Sequence, residues 1–125
     1  MASVLIIDDN LDHSAALARV LASRGHEVRT APNGREALSQ VLSSAPQVIL
    51  LDLLMPEMDG PSFLEVVRSY LRLQSQPVIV LTGVPDSPMV ERTRAMKVNS
   101  VLVKGRATSD DIQNAIQSAL GGSVA

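Results

Sequence analysis

The sequence predicts an α/β protein in which helices cover both faces of a parallel sheet, and three observations lead to this prediction. Four short runs of consecutive apolar residues are rich in Val and Ile, as strands buried on both faces are. Segments with helical periodicity separate these runs. The chain has 125 residues, of which 46% are hydrophobic, and this suits one compact domain. We therefore expect strand and helix to alternate five times.

Four strands are predicted from the apolar runs at residues 4–7, 48–51, 78–81 and 101–103. A fifth segment, 26–30, is polar at alternating positions, which indicates an exposed edge strand. The first, third and fourth strands are the most apolar, so we expect them in the centre, joined by right-handed crossovers. This favours a five-stranded parallel sheet of order 2-1-3-4-5, which is the flavodoxin-like (βα)5 fold.

The helices are predicted from apolar positions that share one face of each segment. These positions are Leu17, Val20 and Leu21 in the first helix; Ala37, Leu38, Val41, Leu42 and Ala45 in the second; Phe63, Leu64, Val67 and Leu71 in the third; and Ile112, Ala115, Ile116, Ala119 and Leu120 in the fifth. The fourth helix, at 88–96, has few apolar residues, and we expect it to be mobile.

Residues that favour helix ends mark the boundaries of these segments. Gly25 is predicted to end the first helix, and Thr108 lies three residues before Asp111 in a variant of the capping-box spacing. The glycine pair at 121–122 ends the last helix. We therefore expect a domain at 1–120, followed at 121–125 by a tail or the start of a linker.

Composition excludes several classes of function. A net charge of −2 and an aromatic content of 2% argue against direct binding of nucleic acid, whether duplex or single-stranded. The chain has no cysteine, so disulfides, thiolate nucleophiles and cysteine-ligated metals are excluded, and a cytoplasmic location is the expectation. The longest apolar runs are short, so we expect no signal peptide and no membrane insertion.

Polar residues that could carry chemistry follow the predicted strands. Asp8 and Asp9 follow the first strand, Asp52 the third, Thr82 the fourth and Lys104 the fifth. Because carboxyl ends of parallel strands share one edge of the sheet, these side chains are expected to meet in the crevice between the first and third strands.

Three neighbouring carboxylates need a cation. Two carboxylates about 4 Å apart repel by roughly 4 kcal/mol at an effective dielectric near 20, so a bound divalent ion is the economical interpretation. Oxygen ligands favour Mg²⁺, with Mn²⁺ as the alternative. A phosphoryl group would fit between this ion and Lys104, which makes Asp52 the predicted nucleophile that forms an acyl phosphate.

Four sequence blocks resemble those of a response-regulator receiver domain of two-component signalling. They are VLIIDDN at 4–10, DLLMPEMDG at 52–60, LTG at 81–83 and VK at 103–104, and the resemblance extends from about residue 4 to residue 120.

The resemblance implies a role for each site residue. Asp52 would accept a phosphoryl group from the histidine of a sensor histidine kinase or a histidine phosphotransfer protein. Asp9 would ligate Mg²⁺ directly, Asp8 mostly through water, and Leu54 through its backbone carbonyl. Lys104 would bind one phosphoryl oxygen, and Thr82 would move to bind another.

The resemblance also implies a phosphoacceptor domain that assists its own phosphoryl transfer and autodephosphorylation, rather than an enzyme with a separate substrate. A downstream protein effector would read the change at the face of helix 4, strand 5 and helix 5. Whether a homodimer forms stays open.

Three positions depart from the family pattern. Val101 stands where most receivers have an aromatic residue, so the resemblance does not imply the usual coupling of hydroxyl and ring for this chain. Gly105 stands where a proline with a cis bond is typical, and that bond is expected to be trans or strained without proline. Apolar Leu54 and Val84 flank the site, which predicts restricted water access and slow dephosphorylation.

Other interpretations remain. The chain could be a pseudo-receiver that acts as a constitutive interaction or dimerisation module, which Val101 and Gly105 favour. A Mg²⁺-dependent phosphatase of the haloacid dehalogenase type would need a second Asp where Leu54 stands. Asp8 and Asp9 could merely cap the first helix. His13 could form a metal pair with Asp9, although we expect it to be solvated, and His26 is assigned no role.

Overall fold

The five strands form one parallel sheet in the order that the sequence predicts. In the computed structural model, which describes residues 1–121, the order is β2-β1-β3-β4-β5. The strands are β1 (Ser3–Ile7), β2 (Glu27–Ala31), β3 (Val48–Leu51), β4 (Val78–Thr82) and β5 (Ser100–Val103). The predicted fold class is therefore confirmed.

A helix follows each strand. The helices are α1 (Leu11–Ser23), α2 (Gly34–Ser43), α3 (Gly60–Arg68), α4 (Pro88–Ala95) and α5 (Ser109–Ala119), with a short 3₁₀ turn at Leu71–Leu73. Within the part of the chain that the structure describes, no helix combines the length and apolar character needed to cross a bilayer.

Both faces of the sheet are buried, which explains why the strand sequences are continuously apolar. In β1, Leu5 and Ile7 contribute to the core beneath α2 and α3, whereas Val4 and Ile6 contribute to the core beneath α1 and α5. Phe63 lies in the first of these cores and is fully buried. Helices therefore cover both faces of the sheet.

Side chains fix where the helices begin and end. Asn10 accepts a hydrogen bond from the His13 amide at 3.0 Å and so caps α1. The predicted pairing of Thr108 and Asp111 is confirmed as a reciprocal capping box, with bonds of 2.8 and 3.0 Å. Gly25, with φ +92°, follows α1, as predicted.

Four predicted helix positions do not belong to the buried faces. Leu71 is 86% exposed because α3 ends at Arg68 and the chain then turns, burying Leu73 instead. Ala45 lies beyond the end of α2 and is exposed. Val20 and Leu120 are 37% and 39% exposed. The predicted mobility of α4 stays a prediction, and the tail expected at 121–125 lies, beyond Gly121, outside the described residues.

Candidate functional site

The strand register brings the acidic residues together. Ile7 of β1 pairs with Leu51 of β3, so the residues that follow these strands, Asp8 and Asp52, leave the sheet side by side. One carboxylate oxygen from each of Asp8, Asp9 and Asp52 lies within 4.8 Å of the others. Asp8 and Asp52 are buried, whereas Asp9 is exposed. The three predicted acidic residues therefore form one cluster.

Lys104 completes the cluster from the other side of β3. Its amide donates to the Thr82 carbonyl at 2.8 Å, which ties the end of β5 to the end of β4. The Lys104 Nζ lies 2.9 Å from the Asp8 Oδ2 and 3.6 Å from the Asp52 Oδ2. One ammonium thus faces two buried carboxylates directly.

Asp8 is the best satisfied of the three carboxylates. Its Oδ1 accepts from the Asn10 amide at 2.9 Å, and its Oδ2 lies 2.7 Å from the His13 Nδ1 in addition to the Lys104 contact. Burial alone would raise the pKa of Asp8, but the Asn10 amide, Lys104 and His13 together outweigh it and leave that pKa below its usual value.

Asp52 has the opposite balance. Burial raises its pKa most; Lys104 opposes this, whereas the charges of Asp8 and Asp9 reinforce it, and the resulting pKa is about 6. The ammonium of Lys104 is stabilised in return, because its bonds to Asp8 and Asp52 raise its pKa despite burial. Negative charge exceeds positive charge here, so an added cation would be stabilised.

Thr82 is the last residue of β4, and Leu54 follows Asp52 by two residues. The Thr82 side chain is fully buried, and its Oγ1 accepts from the Val84 amide at 2.9 Å. Leu54 is 53% exposed, and its carbonyl accepts no hydrogen bond from any residue in 1–121. That carbonyl oxygen therefore remains available as a ligand.

Gly60 is a residue whose importance the sequence analysis missed. A Cβ at this position would lie 2.7 Å from the Asp52 carbonyl oxygen and 2.8 Å from the Leu53 Cα. The Gly60 amide donates to the Leu53 carbonyl at 2.9 Å, so the start of α3 packs directly on the chain that leaves Asp52. The signal in the sequence was a glycine between the α3 cap, Asp59, and Pro61.

His13 is not the solvated residue that the sequence predicts. Its ring contacts Asp8, and about a third of its side chain is exposed. The helix cap explains the difference, because Asn10 and not Asp8 or Asp9 caps α1. His13 is thereby placed in the first turn, facing the end of β1.

His26 also has a place in the structure. Its Nδ1 accepts from the Ala2 amide at 3.1 Å, and its Nε2 lies 2.6 Å from the Gln113 Oε1. The imidazole is buried, and it joins the beginning of β1 to α5 far from the acidic cluster. Its role is structural.

The departures at Val101 and Gly105 have local explanations. Val101 packs with Leu53, Val80 and Val90 in a small apolar cluster between the sheet and α4. Gly105 has a φ of +88°, and every peptide bond in residues 1–121 is trans. The turn after Lys104 is thus made by glycine geometry and not by a cis bond.

Comparisons with known proteins agree with this geometry. Residues 4–117 match the family model of the response regulator receiver domain. A probable chemotaxis protein CheY of Rhizobium etli is 29% identical over 119 residues, which cover 94% of this chain and 92% of that protein. The crystal structure of chemotaxis protein CheY4 of Vibrio cholerae superposes with a TM-score of 0.86 at 31% identity, over 96% of this chain and 99% of that one.

Other relatives are longer than this chain. The sensor histidine kinase TmoS of Ectopseudomonas mendocina is 32% identical over 101 residues, which cover 81% of this chain but 10% of that kinase. The chain spans 28% and 56% of the length of two further curated relatives. Similar sequences therefore occur both as nearly whole proteins and as parts of larger ones.

Proposed function

Because this chain belongs to the response regulator receiver domain family, a family of phosphorylation-dependent signalling domains in two-component systems, we propose that Asp52 is its phosphoacceptor. One observation carries the proposal. The buried Asp52 carboxylate lies at the end of β3, in a cluster with two further carboxylates and with the Lys104 ammonium 3.6 Å away. Asp8 shares the cluster and the Lys104 contact, but the Asn10 amide and His13 already hold its two oxygens.

The phosphoryl donor in this proposal is the phosphohistidine of a sensor histidine kinase or a histidine phosphotransfer protein. An Asp52 carboxylate oxygen forms a bond to phosphorus as the phosphorus–nitrogen bond breaks, and the electron pair of that bond returns to the imidazole. Lys104, 3.6 Å from the Asp52 Oδ2, would pair with one phosphoryl oxygen. The Thr82 hydroxyl donates no hydrogen bond to any described residue, so it is available to donate to another.

The residues present fit a divalent cation. Receiver domains bind Mg²⁺ at an acidic pocket, and here Asp8, Asp9, Asp52 and the Leu54 carbonyl would supply oxygen ligands for Mg²⁺ or Mn²⁺. A bound ion would neutralise the carboxylates and draw electron density from the phosphoryl oxygens. In this chain the exposure of Asp9 gives the ion a route from solvent.

A groove beside the site is suited to the donor protein. It lies between α1 and α5, and its lining is mainly apolar: His13, Ala16, Leu17, Val20, Ala107, Ser109 and Ile112. His13 lines the groove and also contacts Asp8 of the acidic cluster. A helical donor protein that packs in this groove would bring its histidine towards Asp52.

A chain of hydrogen bonds runs from Thr82 to α4 and supports an output at the face of α4, β5 and α5. The Thr82 Oγ1 accepts from the Val84 amide, and the Val84 carbonyl accepts from the Ser87 amide at 3.0 Å. Ser87 in turn caps α4. Movement of Thr82 towards a phosphoryl group would break the first bond and release this loop, which a protein effector or a second copy of the chain would detect.

Two further parts of the proposal concern lifetime and location. The domain assists its own dephosphorylation slowly, because the half-exposed Leu54 side chain offers no polar group to orient an attacking water. We propose that the reaction takes place in the cytoplasm. Phosphohistidine donors act there, and a chain without cysteine suits a reducing compartment.

The second candidate is a pseudo-receiver that binds partners without phosphorylation. Val101 favours it, because the apolar cluster of Val101, Leu53, Val80 and Val90 contains no ring whose rotation could report on Thr82. The two candidates differ in whether Asp52 is modified.

Intact mass after incubation with Mg²⁺ and a small acyl phosphate tests the proposal. The wild-type chain should gain one phosphoryl group, and Asp52→Asn should gain none. Asp59→Asn is the matched control, because Asp59 lies in the same connection but caps α3 through Ser62, which asparagine also does well. The control should gain the group. A wild-type chain that stays unmodified even with a competent kinase would favour the pseudo-receiver.

A further inference from the structure

His13 makes an unexpected contact with the acidic cluster. Its Nδ1 lies 2.7 Å from the Asp8 Oδ2, the same oxygen that the Lys104 Nζ approaches at 2.9 Å. This is the ring's sole polar contact within residues 1–121. The backbone of His13 is held as well, since its amide donates to the α1 cap, Asn10.

The direction of this hydrogen bond follows from the state of Asp8. The Lys104 ammonium lies 2.9 Å from the Asp8 Oδ2 and the Asn10 amide donates to its Oδ1, so Asp8 is an ionised carboxylate in this arrangement and can only accept. The His13 Nδ1 therefore carries the hydrogen and donates it. The Asn10 amide donates to the other oxygen, so both oxygens of Asp8 are held by α1 and its cap.

Lys104 and His13 are not equivalent donors to Asp8. Lys104 also faces Asp52, so a phosphoryl group there would attract its ammonium away from Asp8. His13 has no second acceptor among the described residues and is fixed by the helix. One donor is free to leave while the other stays.

We propose that His13 is a positioning residue that holds Asp8 in the orientation needed for the divalent cation, above all when Lys104 turns to the phosphoryl group. This inference rests on the proposed function, because it takes Asp8 as a cation ligand and Asp52 as the phosphoacceptor. Hydrogen-bond partners that orient a metal ligand commonly contribute to metal affinity.

The test measures the Mg²⁺ dissociation constant of the unphosphorylated chain by calorimetric titration at one fixed pH. His13→Leu and His13→Ala remove the donor, whereas His13→Asn keeps a side-chain N–H close to the position of Nδ1. Ala15→Leu, at an exposed position of α1, is the control for an added leucine. Each chain is also combined with Lys104→Met, which imitates the departure of Lys104.

Both donor-free variants should weaken Mg²⁺ binding, by about threefold alone and by about tenfold in the Lys104→Met background. His13→Asn and Ala15→Leu should stay within about twofold of their parents. Initial rates of phosphorylation at saturating Mg²⁺ should recover in the donor-free variants, since the defect lies in holding the ion. Thermal midpoints without Mg²⁺ identify any variant that has lost its fold. If His13→Leu has lost its fold, the comparison rests on His13→Ala alone.

Two results would overturn the role of His13. One is an unchanged dissociation constant in both donor-free variants and both backgrounds, and the other is equal weakening by His13→Asn and His13→Ala. Failure of the proposed function gives a different result, because the wild-type chain itself would then neither bind Mg²⁺ nor gain a phosphoryl group.

Discussion

Buried polar side chains have different kinds of partner at the two ends of the sheet. At the amino ends of the strands, imidazole and amide side chains bond to neighbouring backbone: His26 to the Ala2 amide, Gln76 to the Pro46 carbonyl at 2.9 Å, and Asn99 to the Val78 amide at 2.9 Å. At the carboxyl ends, three carboxylates share one ammonium.

This contrast separates groups that stabilise the fold from groups that serve a ligand. Each of these side chains at the amino ends forms a hydrogen bond with a backbone group that would otherwise be buried without a partner. At the carboxyl ends, burial together with the charges of Asp8 and Asp9 outweighs Lys104 and raises the pKa of Asp52 to about 6. Residues that are unfavourable for the fold, and that have no compensating partners inside the chain, are expected where a ligand binds.

The largest effect is expected at Gly60, where the start of α3 packs on the backbone of Asp52 and Leu53. Gly60→Ala would force a Cβ against the Asp52 carbonyl oxygen and the Leu53 backbone, so we expect a loss of about 3 kcal/mol in the free energy of unfolding. Gly83→Ala is the matched control, because a Cβ there meets nothing within 4 Å. Urea denaturation measures both, and equal stability of the two variants would contradict the close packing.

The next prediction tests whether the acidic cluster at the carboxyl ends of the strands lowers the free energy of unfolding. The pKa of Asp52 is about 6 in the folded chain against the ordinary 3.8, so the folded state binds more protons between these values and stability falls as pH rises across that window. In metal-free protein, Asp52→Asn should therefore gain about 2–3 kcal/mol near pH 7.5 and much less near pH 4.

Asp8→Asn should show the opposite sign. The pKa of Asp8 is lowered by its partners, so its charge contributes stability that is present above pH 3.8 and is lost as pH falls through the folded-state value. Denaturation curves at several pH values, with a chelator present, measure both variants. Destabilisation by Asp52→Asn at pH 7.5 would show that the cluster carries no electrostatic cost.

A smaller and pH-independent effect is expected at the amino ends. Gln76→Ala would leave the buried Pro46 carbonyl without its donor and should cost about 1–2 kcal/mol. Gln47→Ala removes a bond to the Ser3 amide at an exposed position, where water replaces it, and should cost less than about 1 kcal/mol. Equal losses, measured by thermal unfolding, would mean that burial does not decide the cost.

The smallest effect concerns the rate of phosphoryl loss. Leu54→Asn places a polar side chain beside Asp52 that can orient water, so the phosphorylated lifetime should shorten by about threefold, which is less than about 1 kcal/mol of activation free energy. The decay of the phosphorylated mass in the two chains provides the measurement. A wild-type lifetime no longer than that of the variant would remove the role assigned to Leu54.

The sequence predicted the fold and the membership of the acidic cluster because both depend on local signals. A continuous apolar run that ends in aspartate marks the end of a buried strand, and parallel strands end at the same edge. It was wrong about Leu71 because a helix pattern does not say where the chain will turn.

By itself, the sequence determined which residues stand at the carboxyl ends of the strands. Only the tertiary structure decided how they pair: that His13 and Lys104 meet on one oxygen of Asp8, that Gly60 packs on Asp52, and that burial and the neighbouring carboxylates raise the pKa of Asp52. The physical reason is the separation along the chain of the residues that determine each feature. Periodicity and strand ends are properties of neighbours along the chain, whereas register, helix caps and side-chain burial arise only when distant segments pack together.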